Sequence, residues 1–175
     1  MENNNIYKYY KDLPAWAKGV VVVGGLVVGY LAATSVLKYF KEKNAKAKSE
    51  EEVNNASSEL QEEIRTGVKP TLAKSSLEAM SNSIVSASND CGTDDGLVVA
   101  QFDKLQNQAD ALAFVETFGL RTKTRCPFSD DPRDGFWNSQ TPPMSLSAMI
   151  ASELSSSQID GINSKLSSKG IKYKF

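Results

Sequence analysis

Residues Gly19–Leu37 read GVVVVGGLVVGYLAATSVL, a run of 19 residues without one charged side chain. As a helix, at ~1.5 Å rise per residue, the run reaches ~28 Å, close to the thickness of a bilayer's hydrocarbon core. Valine and glycine form helices poorly in water, but in lipid the backbone has to satisfy its own polar groups, which enforces a helix. Trp16 and Tyr39 stand at the two ends, where interfacial aromatics belong. Lys18 and Lys38 bracket the run and can reach the headgroups. The sequence therefore predicts a transmembrane helix over 19–37, preceded by a polar arm over 1–18. A buried core helix or a cleaved signal peptide, with Leu31-Ala32-Ala33 imitating a cleavage site, are the rival readings.

Gly25, Gly29 and Ala33 recur every fourth residue, placing small side chains on one helix face. That pattern suits packing on another membrane helix or on a second copy, although glycine is common in membrane helices anyway. Lys8, Lys11 and Lys18 precede the run; Lys38, Lys41, Lys43, Lys46 and Lys48 follow it. The imbalance places the C-terminal side in the cytoplasm. Cys91 and Cys126 would then be made in a reducing compartment, and could pair in the reverse orientation.

The segment 38–70 is rich in Glu and Lys and reads as a charged helical stalk. Val53, Ala56, Leu60 and Ile64 mark a thin apolar stripe at helical spacing. The stripe predicts docking along a partner or along the chain's own domain; a solvated charged linker is the alternative. Gly67 and Pro70 end the stalk.

Residues 71–175 have the pattern of a small five-helix domain, so the fold class expected is all-α. The helices fall at about Leu72–Ser88, after Thr93 as N-cap, at Gln108–Phe118, Ser145–Leu154 and Ser156–Ser168. Gly119 and Gly170 act as stops. Between the third and fourth of these lies an irregular loop, 120–144, holding Phe128, Phe136 and Trp137 among prolines and aspartates. A loop of this length either binds something or is pinned to the core by its aromatics. The tail 171–175, Ile-Lys-Tyr-Lys-Phe, alternates apolar and basic residues and reads as extended. Tyr173 and Phe175 either fold back on the domain or meet a protein partner.

Charge and composition narrow the chemistry. Lys and Arg total 20 against 21 Asp and Glu, so nothing draws the whole chain onto nucleic acid. The short basic run Arg121, Lys123 and Arg125 is followed by aspartates. There is no histidine, which removes Ser-His-Asp and Cys-His nucleophile arrangements, and two cysteines cannot form a four-sulfur zinc site. Glu116, Glu153 and Asp160 lie within expected helices, as solvated carboxylates commonly do. A tethered lytic glycosidase would need only carboxylates, but no pair has a spacing that demands acid–base work. No catalytic residue, metal site or cofactor is assigned.

Four short motifs carry a family resemblance: Leu77-Glu78-Ala79-Met80, Gly92-Thr93-Asp94-Asp95, Phe118-Gly119 and Ile150-Ala151-Ser152-Glu153-Leu154-Ser155. Together they resemble one annexin-type repeat, a five-helix unit, over about residues 77–166. The ending Gly170–Phe175 behind such a unit is similar to single-repeat domains in proteins of bacteriophages that infect Bacteroidota. The family's G-x-G-T loop binds calcium through its carbonyls and a downstream carboxylate. Here Asp90 replaces the first glycine and the long loop displaces the carboxylate. Asp130, Asp131 and Asp134 are the candidate oxygen ligands, while Thr93 and Asp94 equally suit a plain helix cap.

These readings lead to a membrane-anchored structural adaptor. The resemblance implies a minor virion protein that ties an internal membrane to a capsid shell, resident in the host cytoplasmic membrane before assembly. Its partners would be the lipid bilayer, other membrane helices or itself, and capsid or envelope proteins through Phe128, Phe136, Trp137, Tyr173 and Phe175. A host envelope binding module and a tethered lysis accessory are the alternatives.

Overall fold

A computed structural model describes residues 15–89, 93–124 and 140–175; within the first stretch, the side chains of 15–36, 38 and 40 lie outside the description. The chain divides into two compact units, Met1–Lys43 and Asn44–Phe175. The described residues are all-α, with six helices and two isolated bridges.

Helix α1 runs Ala15–Arg65 and contains the uncharged run. At its C-terminal end the Val68 amide bonds the Glu63 carbonyl and Gly67 takes φ +99°, a conformation that favours glycine. Among the described residues, no helix is long and apolar enough to cross a membrane. Leu37 is the one residue of the run 19–37 whose side chain is described.

In the second unit, α2 (Lys74–Ala87), α3 (Asp95–Phe102), α4 (Gln108–Phe118), α5 (Leu146–Glu153) and α6 (Ser156–Ser168) surround one core. Helix α4 is its centre. Its sequence is apolar nearly all round, and Ala109–Val115 and Phe118 are all buried, as a central helix requires. Phe114 and Leu112 are fully enclosed, each contributing about 1.5–3 kcal/mol of apolar burial. Helix α2 packs on both α3 and α4, while α6 touches α3 and α5. The stripe on α1 joins the same core: Ala56 and Leu60 are buried, Val53 is half-buried and Ile64 is exposed. The residues from Asn44 onward thus belong to this unit rather than to a free stalk.

The helix ends show why the segments stop where they do. Asn107 caps α4 by accepting from the Asp110 amide, and Gly119 ends it at φ +59°. Ser155 and Gln158 form a reciprocal capping box on α6. The cap of α3 corrects the sequence expectation. Asp94, not Thr93, accepts from the Leu97 amide at 2.9 Å, and the Thr93 hydroxyl donates to Glu153. The loop 120–144 is fastened at its base by antiparallel bridges Arg121–Met144 and Thr124–Gln140.

Candidate functional site

Three places in the second unit gather polar side chains. The first is where α1, the start of α5 and the C-terminal tail meet. Glu52 on α1 accepts from the Ser145 hydroxyl at 2.5 Å, the Ser147 hydroxyl at 2.6 Å and the Tyr173 hydroxyl at 3.0 Å. Ser145 is the N-cap of α5, so the carboxylate sits against the positive end of that helix. Burial, then the negative charge of Glu52, push the Tyr173 phenol above its ordinary value, and it remains a donor. An open cavity of about 540 Å³ lies beside this node, with Lys48, Glu51, Lys172 and Lys174 at its edge.

The tail folds back on the domain. Ile171 is buried, and the Lys172 and Tyr173 amides both donate to the Gln108 side-chain carbonyl. Asn163 clasps the backbone of Phe175 with two 2.9 Å bonds. The Phe175 ring meets Phe102 edge-on and Tyr173 at a tilt, both at 4.9 Å between centroids.

The second place is the fully buried carboxylate of Asp110. It accepts from the Thr71 amide at 2.6 Å, the Thr71 hydroxyl at 2.7 Å, the Gln106 amide at 2.9 Å and the Leu72 amide at 3.1 Å. Burial by itself would raise its pKa; the four donors outweigh that and hold it below the ordinary carboxylate value. This cluster staples the segment before α2 to the start of α4.

The third is Glu153 at the end of α5. Its carboxylate is paired with the Lys123 ammonium and accepts from the Thr93 and Ser152 hydroxyls. Two pieces of the resemblance, Thr93 and Glu153, therefore meet although they lie 60 residues apart. Glu116 accepts from Ser57 at 2.8 Å. No group of three or more possible metal-ligating side chains occurs among the described residues.

The remaining sequence-predicted positions divide by location. Trp16, Lys18, Gly25, Gly29, Ala33 and Lys38 fall in α1 with side chains outside the description; Tyr39 is 62% exposed. Cys91, Cys126, Phe128, Asp130, Asp131, Asp134, Phe136 and Trp137 lie outside the described residues. Tyr173 and Phe175 are half-buried on the core. Sequence reasoning missed Glu52 and Asp110. The Asn107-x-x-Asp110 spacing was a visible capping signal; the partners at Thr71 and Ser145 were not.

No protein-family model, curated protein or solved structure matches this chain.

Proposed function

We propose that the chain is a membrane-anchored structural adaptor, holding a small helical domain beside a bilayer through residues 19–37. The observation that carries this reading is the 19-residue uncharged run inside a continuous helix, with lysines at both flanks. Leu37 and Tyr39, at its C-terminal end, are 61% and 62% exposed, which suits an interface between hydrocarbon and headgroups. Lys41, Lys43, Lys46 and Lys48 follow, as anionic lipid favours. Extending the annexin-type resemblance, the adaptor is a minor virion protein of a membrane-containing bacteriophage. It links the internal membrane to the capsid shell through the loop 120–144.

The bridges Arg121–Met144 and Thr124–Gln140 support the loop's part in this reading, because they pair its two ends with each other. The test is fractionation followed by mass-spectrometric counting in purified particles. Retention in carbonate-washed membranes, with a fixed copy number per particle, is expected. A chain that is freely soluble without detergent, or whose mature form begins beyond Leu37, ends the proposal. Protease accessibility of the C-terminal domain after shell removal checks the orientation; protection would reverse it.

A further inference from the structure

The two arms of the loop 120–144 do not pair in one unbroken register. Arg121 and Met144 face each other and exchange two backbone bonds, at 2.9 and 2.8 Å. An unbroken antiparallel ladder would then set Thr124 opposite Thr141. Thr124 instead faces Gln140. Between the two bridges the returning arm therefore holds one residue more than the outgoing arm, which is a bulge. Pro142 and Pro143 lie in it, and neither has an N–H to give to the ladder. The Thr141 amide donates to the Lys123 carbonyl at 2.9 Å, and the Lys123 amide to the Thr141 hydroxyl at 3.0 Å. Backbone pairing this sparse specifies its register weakly.

A charged contact ties the same two arms together. The Lys123 ammonium, on the outgoing arm, pairs with Glu153 on α5, the helix into which the returning arm leads. Both side chains are nearly enclosed, 15% and 7% exposed. Glu153 also accepts from the Thr93 and Ser152 hydroxyls. The outgoing arm has two further ties to distant residues, and both are weaker. Arg121 reaches Asn82 through an exposed bond, and the Thr124 amide meets the neutral side chain of Asn89.

A slip of one residue moves an extended arm by ~3.3 Å and turns each side chain to the opposite face. Thr122 or Thr124 would then stand against Glu153, and neither brings a cation to an enclosed carboxylate. A buried ion pair adds little net stability over a neutral pair of similar shape, yet losing one partner of it is heavily disfavoured. That asymmetry penalises the slipped pairing far more than it favours the folded state. We infer that the Lys123–Glu153 pair is a register lock. It selects the bulged pairing of 121–124 with 140–144, and so fixes where the loop leaves the domain. This goes beyond the adaptor reading and does not need the membrane span.

Neutralising both partners separates this role from stability. Lys123→Met with Glu153→Gln keeps the stem of the lysine and leaves an acceptor for Thr93. The full chain in detergent is isotope-labelled, and NMR follows the backbone amides of 121–124, 140, 141 and 144, with urea unfolding alongside. The unaltered chain is expected to give one set of resonances. The double variant is expected to unfold at about the same urea concentration, while a second set grows from under about 1% to at least about 10% of the molecules. Lys123→Met alone, which strands the carboxylate, is expected to unfold more readily than the double variant. A double variant with a single set overturns the inference, because backbone pairing then suffices to hold the register. A double variant that no longer folds overturns it too, since the pair would then carry the fold itself. So does a second set in the unaltered chain, or a single variant as stable as the double one.

Discussion

Asp110 and Glu52 are both carboxylates that gather several donors at the start of a helix, yet they act at different scales. Asp110 is fully buried, and its donors, Thr71, Leu72 and Gln106, come from segments bordering α2 and α4. Glu52 is only half-buried, and its partners Ser145, Ser147 and Tyr173 lie 93, 95 and 121 residues away in sequence. One carboxylate ties together segments beside α2 and α4; the other ties α1 and the tail to the start of α5. Water reaches the Glu52 carboxylate far more easily than that of Asp110, so the two should fail differently.

The largest effect expected is at Asp110. Replacing it with alanine leaves the amides of Thr71, Leu72 and Gln106 without the acceptor they share. We expect a global loss on the order of 3–5 kcal/mol, read by urea denaturation. Asp110→Asn sharpens the same point through pH. The folded carboxyl titrates below its ordinary value near 3.8, so between the two values the unfolded chain holds more protons. The stability from this group is complete above the unfolded value and lost as pH falls through the folded one. The wild type should therefore weaken steeply below about pH 4, whereas the Asn variant is weaker at neutral pH and flatter in acid. Parallel acid limbs would show that Asp110 is not the group responsible.

Next comes Glu52→Ala, for which about 2 kcal/mol is expected. Its signature is location rather than size. Amide exchange should accelerate along 49–60 and in the tail, while α4 keeps its protection. Uniform acceleration through α4 would erase the distinction between the two carboxylates.

That difference also explains what the sequence revealed. The five helices of the second unit could be read from periodicity, and Gly119 and Gly170 from their place after the last apolar residue, because those signals are local. Ala56 and Leu60 announced a buried stripe, but nothing nearby said what would cover it. Glu52 sat within an acidic block whose neighbours Glu50 and Glu51 are exposed, so its role depended on Ser145 and Tyr173 arriving from afar. Thr93 was a sound N-cap by type; Asp94 holds that position, and the Thr93 hydroxyl instead donates to Glu153, again distant in sequence. Local chemistry determines where helices begin and end, and tertiary partners decide which polar residues become nodes.

A smaller change isolates one strand of the Glu52 node. Tyr173→Phe keeps the ring against Phe175 and removes a single charge-assisted bond, for which about 1 kcal/mol is expected. In a double-mutant cycle with Glu52→Ala, the tyrosine change should cost almost nothing once the carboxylate is gone. Additive losses would mean that Tyr173 stabilises the tail through packing alone.

The smallest effect provides the reference for the other three. Lys165 on α6 pairs with Asp103 at 2.8 Å, a distance as short as any at the Asp110 cluster except two. Both side chains are about half exposed, 56% and 49%, so solvent screens the attraction and each residue loses rotamer freedom to make it. Lys165→Met, which keeps the length of the stem, should change stability by no more than about 0.5 kcal/mol, with even that difference fading in high salt. Since the distance is nearly the same as at Asp110, the contrast between the two losses measures burial and the number of donors rather than bond length. A loss at Lys165 comparable with that at Glu52 would break this ranking, because it would show that an exposed contact can fasten α6 to the end of α3 as firmly as a half-buried node fastens α1.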